Sequence, residues 1–164
     1  MNRFSATTES EAVVAAPRSE IWAVLTDPVL LPKLTPLLDR IETDGDLWTW
    51  HMMQIKGLGV GISPAFTEKM VFDDRLRIDY SHCPPAGEYE RTGADGWYIL
   101  KDVDGGTHLS ISLTLNVELP LPRAAGSAVR SVMSKTMART GDKFSANLLE
   151  HLGVNDLSGR KRKR

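Results

Sequence analysis

Residues 107–119, "THLSISLTLNVEL", restrict the fold more than any other stretch of this chain. Apolar residues occupy alternate positions in it, namely Leu109, Ile111, Leu113, Leu115 and Val117. Side chains along a strand point alternately to the two faces of a sheet, so this period predicts a strand with one buried and one solvated face. Such strands are typical of antiparallel sheets.

A helical period follows this strand after Pro120 and Pro122. The stripe on one side of the helix has spacings of three or four residues and consists of Val129, Met133, Met137, Thr140, Phe144 and Leu148. This spacing predicts one long helix that ends at Gly153. Gly141 lies inside the helix, where we expect a bend or a close approach to another element.

The earlier part of the chain predicts one strand, two short helices and then a run of strands. Residues 5–15 form the first strand, a helix begins near Pro17, and a second short helix or turn lies between Pro28 and Pro36. Further strands are predicted at residues 37–43, 47–55, 64–72, 75–83 and 88–103. The glycine-rich segment "KGLGVGIS", residues 56–63, lacks the pattern of a nucleotide-binding loop and predicts a flexible connection.

The length and composition are those of a folded globular domain, with 164 residues of which 41% are hydrophobic and 25% charged. We expect one domain over residues 1–153, followed by a basic, disordered tail over residues 154–164 that ends in "GRKRKR". The formal net charge of -1 gives the whole chain no general attraction to nucleic acid or anionic lipid. We therefore expect no nucleic-acid partner.

The single cysteine, Cys83, excludes an intrachain disulfide and favours a reducing, cytoplasmic location. No segment has the run of about 18 apolar residues that suggests a transmembrane helix. The first residues, "MNRFSATTESEA", also lack the apolar core of a signal peptide. We expect no stable membrane insertion. Since the four histidines lack metal-ligand spacing, neither a metal site nor a cofactor is predicted.

The segment "SEAVVAAPRSEIWAVLTDPVLLPKLTP" and the order of elements together carry a family resemblance. Over residues 5–152 the chain resembles the helix-grip fold of the START-related, or SRPBCC, superfamily, and within it the polyketide cyclase/dehydrase-type proteins. The resemblance implies an α+β fold in which a curved antiparallel sheet of about seven strands wraps around the long C-terminal helix. It also implies a cavity for a hydrophobic ligand between sheet and helix, with no catalytic motif shared by all members.

A carboxylate lies among large apolar residues in "AFTEKMVF", residues 65–72. The strand period places Glu68 on the same face as its apolar neighbours. A three-residue turn at residues 73–75 pairs Glu68 with Tyr80 and brings His82 one pair further along. The sequence thus predicts a polar corner of Glu68, Tyr80 and His82 inside an apolar pocket.

Two interpretations of this corner are open. In the first, burial raises the pKa of Glu68, which exchanges protons with a bound carbonyl compound, as in an aldol-type cyclisation or dehydration, with Tyr80 or His82 as partner. In the second, Glu68 hydrogen-bonds Tyr80 or pairs with a basic residue and only positions a ligand. The second is favoured, because buried charges are usually paired for structural reasons.

The residues expected to contact the ligand are large side chains on the inner faces of the predicted strands and helix. They are Trp50, Met52, Gln54, Phe66, Met70, Ile78, Trp97, Leu113, Met133, Met137 and Phe144. The methionines suit either an irregular core or a pocket that adapts to different ligands. A pocket closed by Trp50, Phe66 and Phe144 would contradict ligand binding.

The function that these expectations favour is binding of a hydrophobic, lipid-like or polyketide-like small molecule in the internal cavity. The alternative is an enzyme, a polyketide cyclase or dehydratase that uses Glu68 as acid and base. A weaker alternative is a protein-interaction module that uses the basic tail, which deletion of residues 159–164 would test.

Overall fold

A computed structural model describes residues 1–157 of the chain. The strands are β1 (Asn2–Val14), β2 (Leu38–Asp44), β3 (Leu47–Met52), β4 (Ile55–Gly57), β5 (Val60–Ile62), β6 (Ala65–Asp73), β7 (Arg77–His82), β8 (Thr92–Val103) and β9 (Gly106–Leu119). The helices are α1 (Arg18–Leu25), α2 (Leu31–Leu34) and α3 (Gly126–Leu152), the last preceded by a 3-10 turn at Arg123–Ala125. The predicted order of elements is confirmed except for β4 and β5, which lie where a loop was expected.

Seven strands form one antiparallel sheet in the order β1-β9-β8-β7-β6-β3-β2. The inner face of this sheet is the one that carries Leu109, Leu113 and Val117. The long helix α3 covers the inner face, since side chains from both line one cavity. This is the α+β helix-grip architecture that the family resemblance implied.

The strand β9 pairs on both sides, with β1 and with β8, over the full length of both neighbours. Its alternating sequence explains this position, because Leu109 and Val117 are buried on the inner face while polar residues lie between them. The predicted period of this strand is confirmed.

The helix α3 has 27 residues and ends at Gly153, which adopts the left-handed conformation with φ 66°. Val129, Met133, Met137 and Leu148 of the predicted stripe are buried. Of the two expectations at Gly141, the close approach to another element is wrong, because no atom of another described element lies within 4 Å of the position that a Cβ would take there.

The segment predicted as a flexible loop instead forms a small hairpin, β4 and β5, separate from the main sheet. Leu58 and Gly59 both have positive φ angles, 51° and 76°, as a two-residue hairpin turn requires. The hairpin packs against α3, since a Cβ on Gly57 would lie 3.3 Å from Cγ1 of Val132. The hairpin thus covers the N-terminal half of α3.

The buried apolar residues form two clusters. The first joins α1 and α2 to the sheet and to the C-terminal end of α3 at Leu148. The second joins β1 and β9 to the N-terminal half of α3 at Val129 and Met133. Both clusters contribute to the wall of a cavity, through Leu31 from the first and Met137 from the second.

The predicted tail differs from expectation in its first residues. Residues 154–157 return to the end of β1, where Ala15 N–H donates to Asn155 O at 3.2 Å and Leu157 N–H donates to Val13 O at 2.7 Å. These four residues are therefore part of the folded domain. The basic run "GRKRKR" lies outside the described residues.

Candidate functional site

The larger cavity lies between the inner face of the sheet and α3 and has a volume of about 240 Å³. Its wall contains these predicted ligand-binding residues: Trp50, Met52, Phe66, Leu113, Met137 and Phe144. It also contains Glu68 and Tyr80, two of the predicted catalytic residues. The cavity is open, because the aromatic rings that were candidates to close it form its wall instead.

The cavity reaches the surface between β1 and α3. Among its lining residues, Ser10, Gly141 and Ser145 are also exposed, the first on β1 and the other two on α3. The open space beside Gly141 lies at this opening. We infer that a ligand enters here, beside the edge strand β1.

The hairpin β6–β7 has a register that differs from the predicted one by two residues. Glu68 lies opposite His82, and Met70 lies opposite Tyr80. The turn comprises residues 74–76 instead of the predicted 73–75, since Asp73 pairs with Arg77 and Leu76 N–H donates to Asp73 O at 2.9 Å. A shift of two in the pairing keeps every side chain on its face, so Glu68 still points inward.

Glu68 is only 3% exposed, and its side chain faces the cavity. Burial raises the pKa of this carboxyl well above its usual value, and the negative charge of Asp95 raises it further. The indole N–H of Trp50 is near enough to oppose this rise, yet it lacks the geometry of a hydrogen bond and has no partner among the described residues. The Glu68 carboxyl therefore lies at the cavity with unused hydrogen-bonding capacity, and the buried N–H of Trp50 beside it also lacks a partner among the described residues.

Tyr80 has a structural contact that the sequence did not reveal. Its hydroxyl donates to Ser112 O at 2.7 Å. The ring lies over Gly96 so closely that a Cβ on that glycine would collide with the hydroxyl. Burial raises the pKa of the phenol well above its usual value. Since its proton is already donated to the backbone, Tyr80 holds the cavity wall in place.

Tyr98 is the phenol that sequence reasoning missed. It lines the cavity, its ring centroid lies 5.6 Å from that of Tyr80, and its pKa is raised by burial first and by Glu68 second. The four residues from Trp97 to Leu100 are all apolar or aromatic, so their period did not indicate which face each one takes. The polar corner of the cavity thus consists of Glu68, Trp50 and Tyr98, whereas the predicted one consisted of Glu68, Tyr80 and His82.

The prediction that His82 joins this corner is wrong. Although the backbone of His82 pairs with that of Glu68, its ring does not line the cavity and instead contacts Glu90. Its Nε2 lies 3.0 Å from Oε1 of Glu90. The Glu90 carboxylate also accepts hydrogen bonds from the backbone N–H and the hydroxyl of Thr67, at 2.7 and 2.8 Å. Thr67 alternates with Glu68 along β6 and so faces away from the cavity.

Five predicted ligand-binding residues lie outside the wall of the larger cavity. Met70 and Ile78 are buried in the first core cluster, and Gln54 is exposed beside the small hairpin. Trp97 lies under the guanidinium of Arg77, 5.6 Å from the ring centroid, on the outer face. Met133 lines a second cavity.

That second cavity has a volume of about 110 Å³ and lies between the small hairpin, β9 and the N-terminal half of α3. The described residues that line it are mainly aliphatic. They include Leu115, Val117, Val129, Val132, Met133 and Met137 on the sheet and helix, and Ile55, Val60 and Ile62 on the hairpin. The two cavities share Ile55, Pro64, Thr92, Leu115, Thr136 and Met137.

Several small polar residues of the larger cavity were also missed. They are Thr8, Ser10, Thr35, Thr92, Thr136, Thr140 and Ser145. The alternation of β1 contained a signal for two of them, because Thr8 and Ser10 continue the inward positions of the buried Phe4 and Ala6. Hydroxyl groups on an inward face indicate a cavity rather than a close-packed core.

Residues 1–157 contain neither a metal-binding cluster nor a membrane-spanning helix. No three His, Cys, Asp or Glu side chains lie close enough together to hold a metal ion. Within the same residues, no helix combines the length and apolar character needed to cross a membrane.

Comparisons with known proteins agree with this architecture. The family model described as polyketide cyclase / dehydrase and lipid transport matches residues 5–149. The chain is similar to a START superfamily protein from Mycobacterium smegmatis, with a TM-score of 0.63 and 14% identity over 88% of this chain and 97% of that one. A search of curated proteins finds no match.

Two more solved structures share the fold. The Zhui aromatase/cyclase from a Streptomyces species has a TM-score of 0.61 and 16% identity, covering 90% of this chain and 93% of that one. A protein from Thermus thermophilus has a TM-score of 0.62 and 16% identity, covering 89% and 94%. At these identities the likeness concerns the fold.

Proposed function

Since the chain belongs to the family of polyketide cyclase / dehydrase and lipid transport proteins, we propose that it binds a neutral, hydrophobic carbonyl compound in the larger cavity. The observation that carries this proposal is the Glu68 carboxyl, which is buried in an apolar cavity without a hydrogen bond of normal geometry from any described residue. A ligand carbonyl would supply the missing partner.

The protonation state of Glu68 determines what kind of ligand group it accepts. Because its pKa is raised, the neutral carboxyl is favoured, and its O–H can donate to a carbonyl oxygen. The N–H of Trp50 lies near the same carboxyl and has no hydrogen-bond partner among the described residues. The site therefore suits a hydrogen-bond acceptor, and the aromatic and aliphatic wall suits the apolar remainder of the ligand.

The proposed binding is tested by capture from the lipophilic extract of the organism that makes the protein. Wild-type protein is incubated with the extract, repurified, and compared by native and denaturing mass spectrometry with the Gly141→Leu variant. We expect a compound enriched on the wild type and depleted on the variant, whose added side chain lies at the cavity opening. Equal amounts on both proteins, or none on either, would count against the proposal.

A second candidate function is catalysis, favoured by the position of Tyr98 beside Glu68. In an intramolecular aldol cyclisation of a linear poly-β-ketone, the ionised Glu68 would take the proton from the attacking carbon. The carbon–carbon bond then forms, and Glu68 returns the proton to the new alkoxide, which Tyr98 stabilises by donating its O–H. A carboxyl of raised pKa is a suitable base near neutral pH.

Kinetics with Glu68→Gln separates this candidate from binding alone. An enzyme loses turnover in this variant but retains ligand affinity, and the wild-type rate rises as the carboxyl of raised pKa loses its proton. Turnover of the poly-β-ketone at the wild-type rate by Glu68→Gln would exclude the catalytic role. Absence of turnover in both proteins, with binding retained, would favour the carrier function.

A further inference from the structure

The two cavities differ in chemistry. The larger one has aromatic walls, polar hydroxyls and the Glu68 carboxyl, whereas the described wall of the second one contains no aromatic side chain. An apolar cavity of about 150 Å³ stays dry and can hold a benzene molecule. By that comparison, the second cavity of about 110 Å³ has room for about four carbon atoms of an aliphatic chain.

The partition between the two cavities is thin and partly flexible. Met137 forms it on the helix side and Leu115 on the sheet side, and both side chains line both cavities. Methionine has three rotatable side-chain bonds and adapts its shape at low cost. A rotation of Met137 would join the two cavities without moving the backbone.

The distance along the sheet from Glu68 to the partition determines how long a molecule must be to reach both cavities. Pro64, at the partition, precedes Glu68 by four residues, which corresponds to about 13 Å along an extended chain. A ligand whose carbonyl lies at Glu68 must therefore extend over roughly that length before it enters the second cavity.

From this arrangement we propose that the ligand is an amphipathic carbonyl compound whose unbranched aliphatic tail passes Met137 and ends in the second cavity, while its carbonyl stays beside Glu68. This inference rests on the proposed function, because the carbonyl end occupies the cavity already assigned to the ligand. It adds a binding site for the tail and identifies the ligand as a long-chain compound.

The lining of the larger cavity disfavours a free carboxylate as the polar end of the ligand. Among the described residues that line the larger cavity there is no lysine, arginine or histidine, and the negative charge of Asp95 acts on its polar corner. Lys56 at the second cavity is exposed to solvent. A ketone or ester satisfies the donors of the larger cavity without a charge to neutralise.

The test uses unbranched methyl ketones, from methyl hexyl to methyl hexadecyl ketone, which compete with the neutral dye Nile red for the full-length protein. We expect wild-type affinity to rise about fourfold per methylene until the second cavity is full. Val132→Phe fills that cavity without touching the larger one, so the optimum chain should become shorter by about four carbons. Ile62→Phe fills the same space from the hairpin and guards against misfolding of one variant.

The outcomes separate the tail site from the binding function itself. If the folded filling variants and the wild type prefer the same chain length, the tail does not enter the second cavity, although the proposed function stands. If no ketone displaces the dye from the wild type, both proposals fail. Shorter optima in both variants, with short ketones bound as well as by the wild type, would support the tail site.

Discussion

At the residue scale, Glu68 shows how the surroundings of one side chain alter its chemistry. A carboxyl on the solvated face of β6 would be an ordinary surface charge, as Lys69 is on the next position. On the inner face it is buried beside Trp50 and Tyr98, and the neutral form is favoured. The same inward position makes it the main polar contact available to a ligand.

The raised pKa of Glu68 predicts a particular dependence of stability on pH. Between the usual carboxyl value of 4.5 and the higher pKa of the folded state, the folded protein binds more protons than the unfolded one. The free energy of unfolding therefore falls as pH rises through this window, by about 1.4 kcal/mol per pH unit from this group alone. Glu68→Gln removes this contribution and becomes increasingly more stable than the wild type as pH rises.

Urea unfolding of both proteins at a series of pH values from 4.5 upward measures this difference. The exposed Glu88→Gln is the matched control and should follow the wild type at every pH. Parallel curves for Glu68→Gln and the wild type would show that the carboxyl is not held neutral by the fold.

Substitution of the two neighbouring tyrosines is predicted to have different effects: one substitution lowers stability, and the other changes ligand affinity. Tyr80→Phe leaves the Ser112 carbonyl without its buried donor and should lower the free energy of unfolding by about 1–3 kcal/mol. Tyr98→Phe removes a hydroxyl that faces the cavity, so it should change ketone affinity with little loss of stability. Chemical denaturation and Nile red competition on both variants measure the two effects, and a reversed assignment would refute this distinction.

The inward direction of Glu68 could be predicted because it depends only on the period of two. The pairing partner depended on the position of a turn, and here the turn places Arg75 at φ 59°, a conformation that usually selects glycine. No residue type in the sequence marked that position. Tyr98 was missed for a similar reason, because the run of four large residues from Trp97 to Leu100 does not show which of them face the cavity.

At the scale of elements, the hairpin β4–β5 was missed because its turn has Leu58 where asparagine or glycine is usual. The signal that was present is the strand period of two, which places Ile55 and Gly57 on one face of β4 and Val60 and Ile62 on one face of β5. The long helix was predictable to its last residue, because its stripe and its terminal glycine agree.

The turn of this hairpin provides a local test of its structure. Gly59 has a φ of 76°, so Gly59→Ala should cost about 1–2 kcal/mol of local stability and speed amide hydrogen exchange over residues 55–62. Gly61→Ala is the control, since that glycine has no positive φ and a Cβ there would make ordinary contacts, the nearest at 3.4 Å. Equal exchange in the two variants would contradict the turn geometry.

Gly141 in α3 allows a matched pair of substitutions. Gly141→Ala should raise the free energy of unfolding by about 0.5–1 kcal/mol, because alanine favours the helix and the space beside this residue is open. Gly141→Leu adds a side chain at the cavity opening and should weaken ketone binding. Nile red competition compares the two, and equal affinities would place the entrance elsewhere.

At the scale of the whole molecule, the fold was predictable because its order of elements is distinctive. The open cavity was not, since the volume left between a sheet and a helix depends on how particular side chains pack. Six of the predicted ligand-binding residues line the larger cavity, together with Glu68 and Tyr80, yet the second cavity and its shared wall follow only from the placement of the small hairpin. The cavities together are the feature on which the proposed function depends.

A crystal structure of the wild type grown with methyl undecyl ketone tests the central claim most directly. We predict density for one ketone inside the larger cavity, with its oxygen within hydrogen-bond distance of the Glu68 carboxyl. A cavity closed by the side chains of Trp50 and Phe144, or a ketone found only on the surface of the protein, would contradict the account.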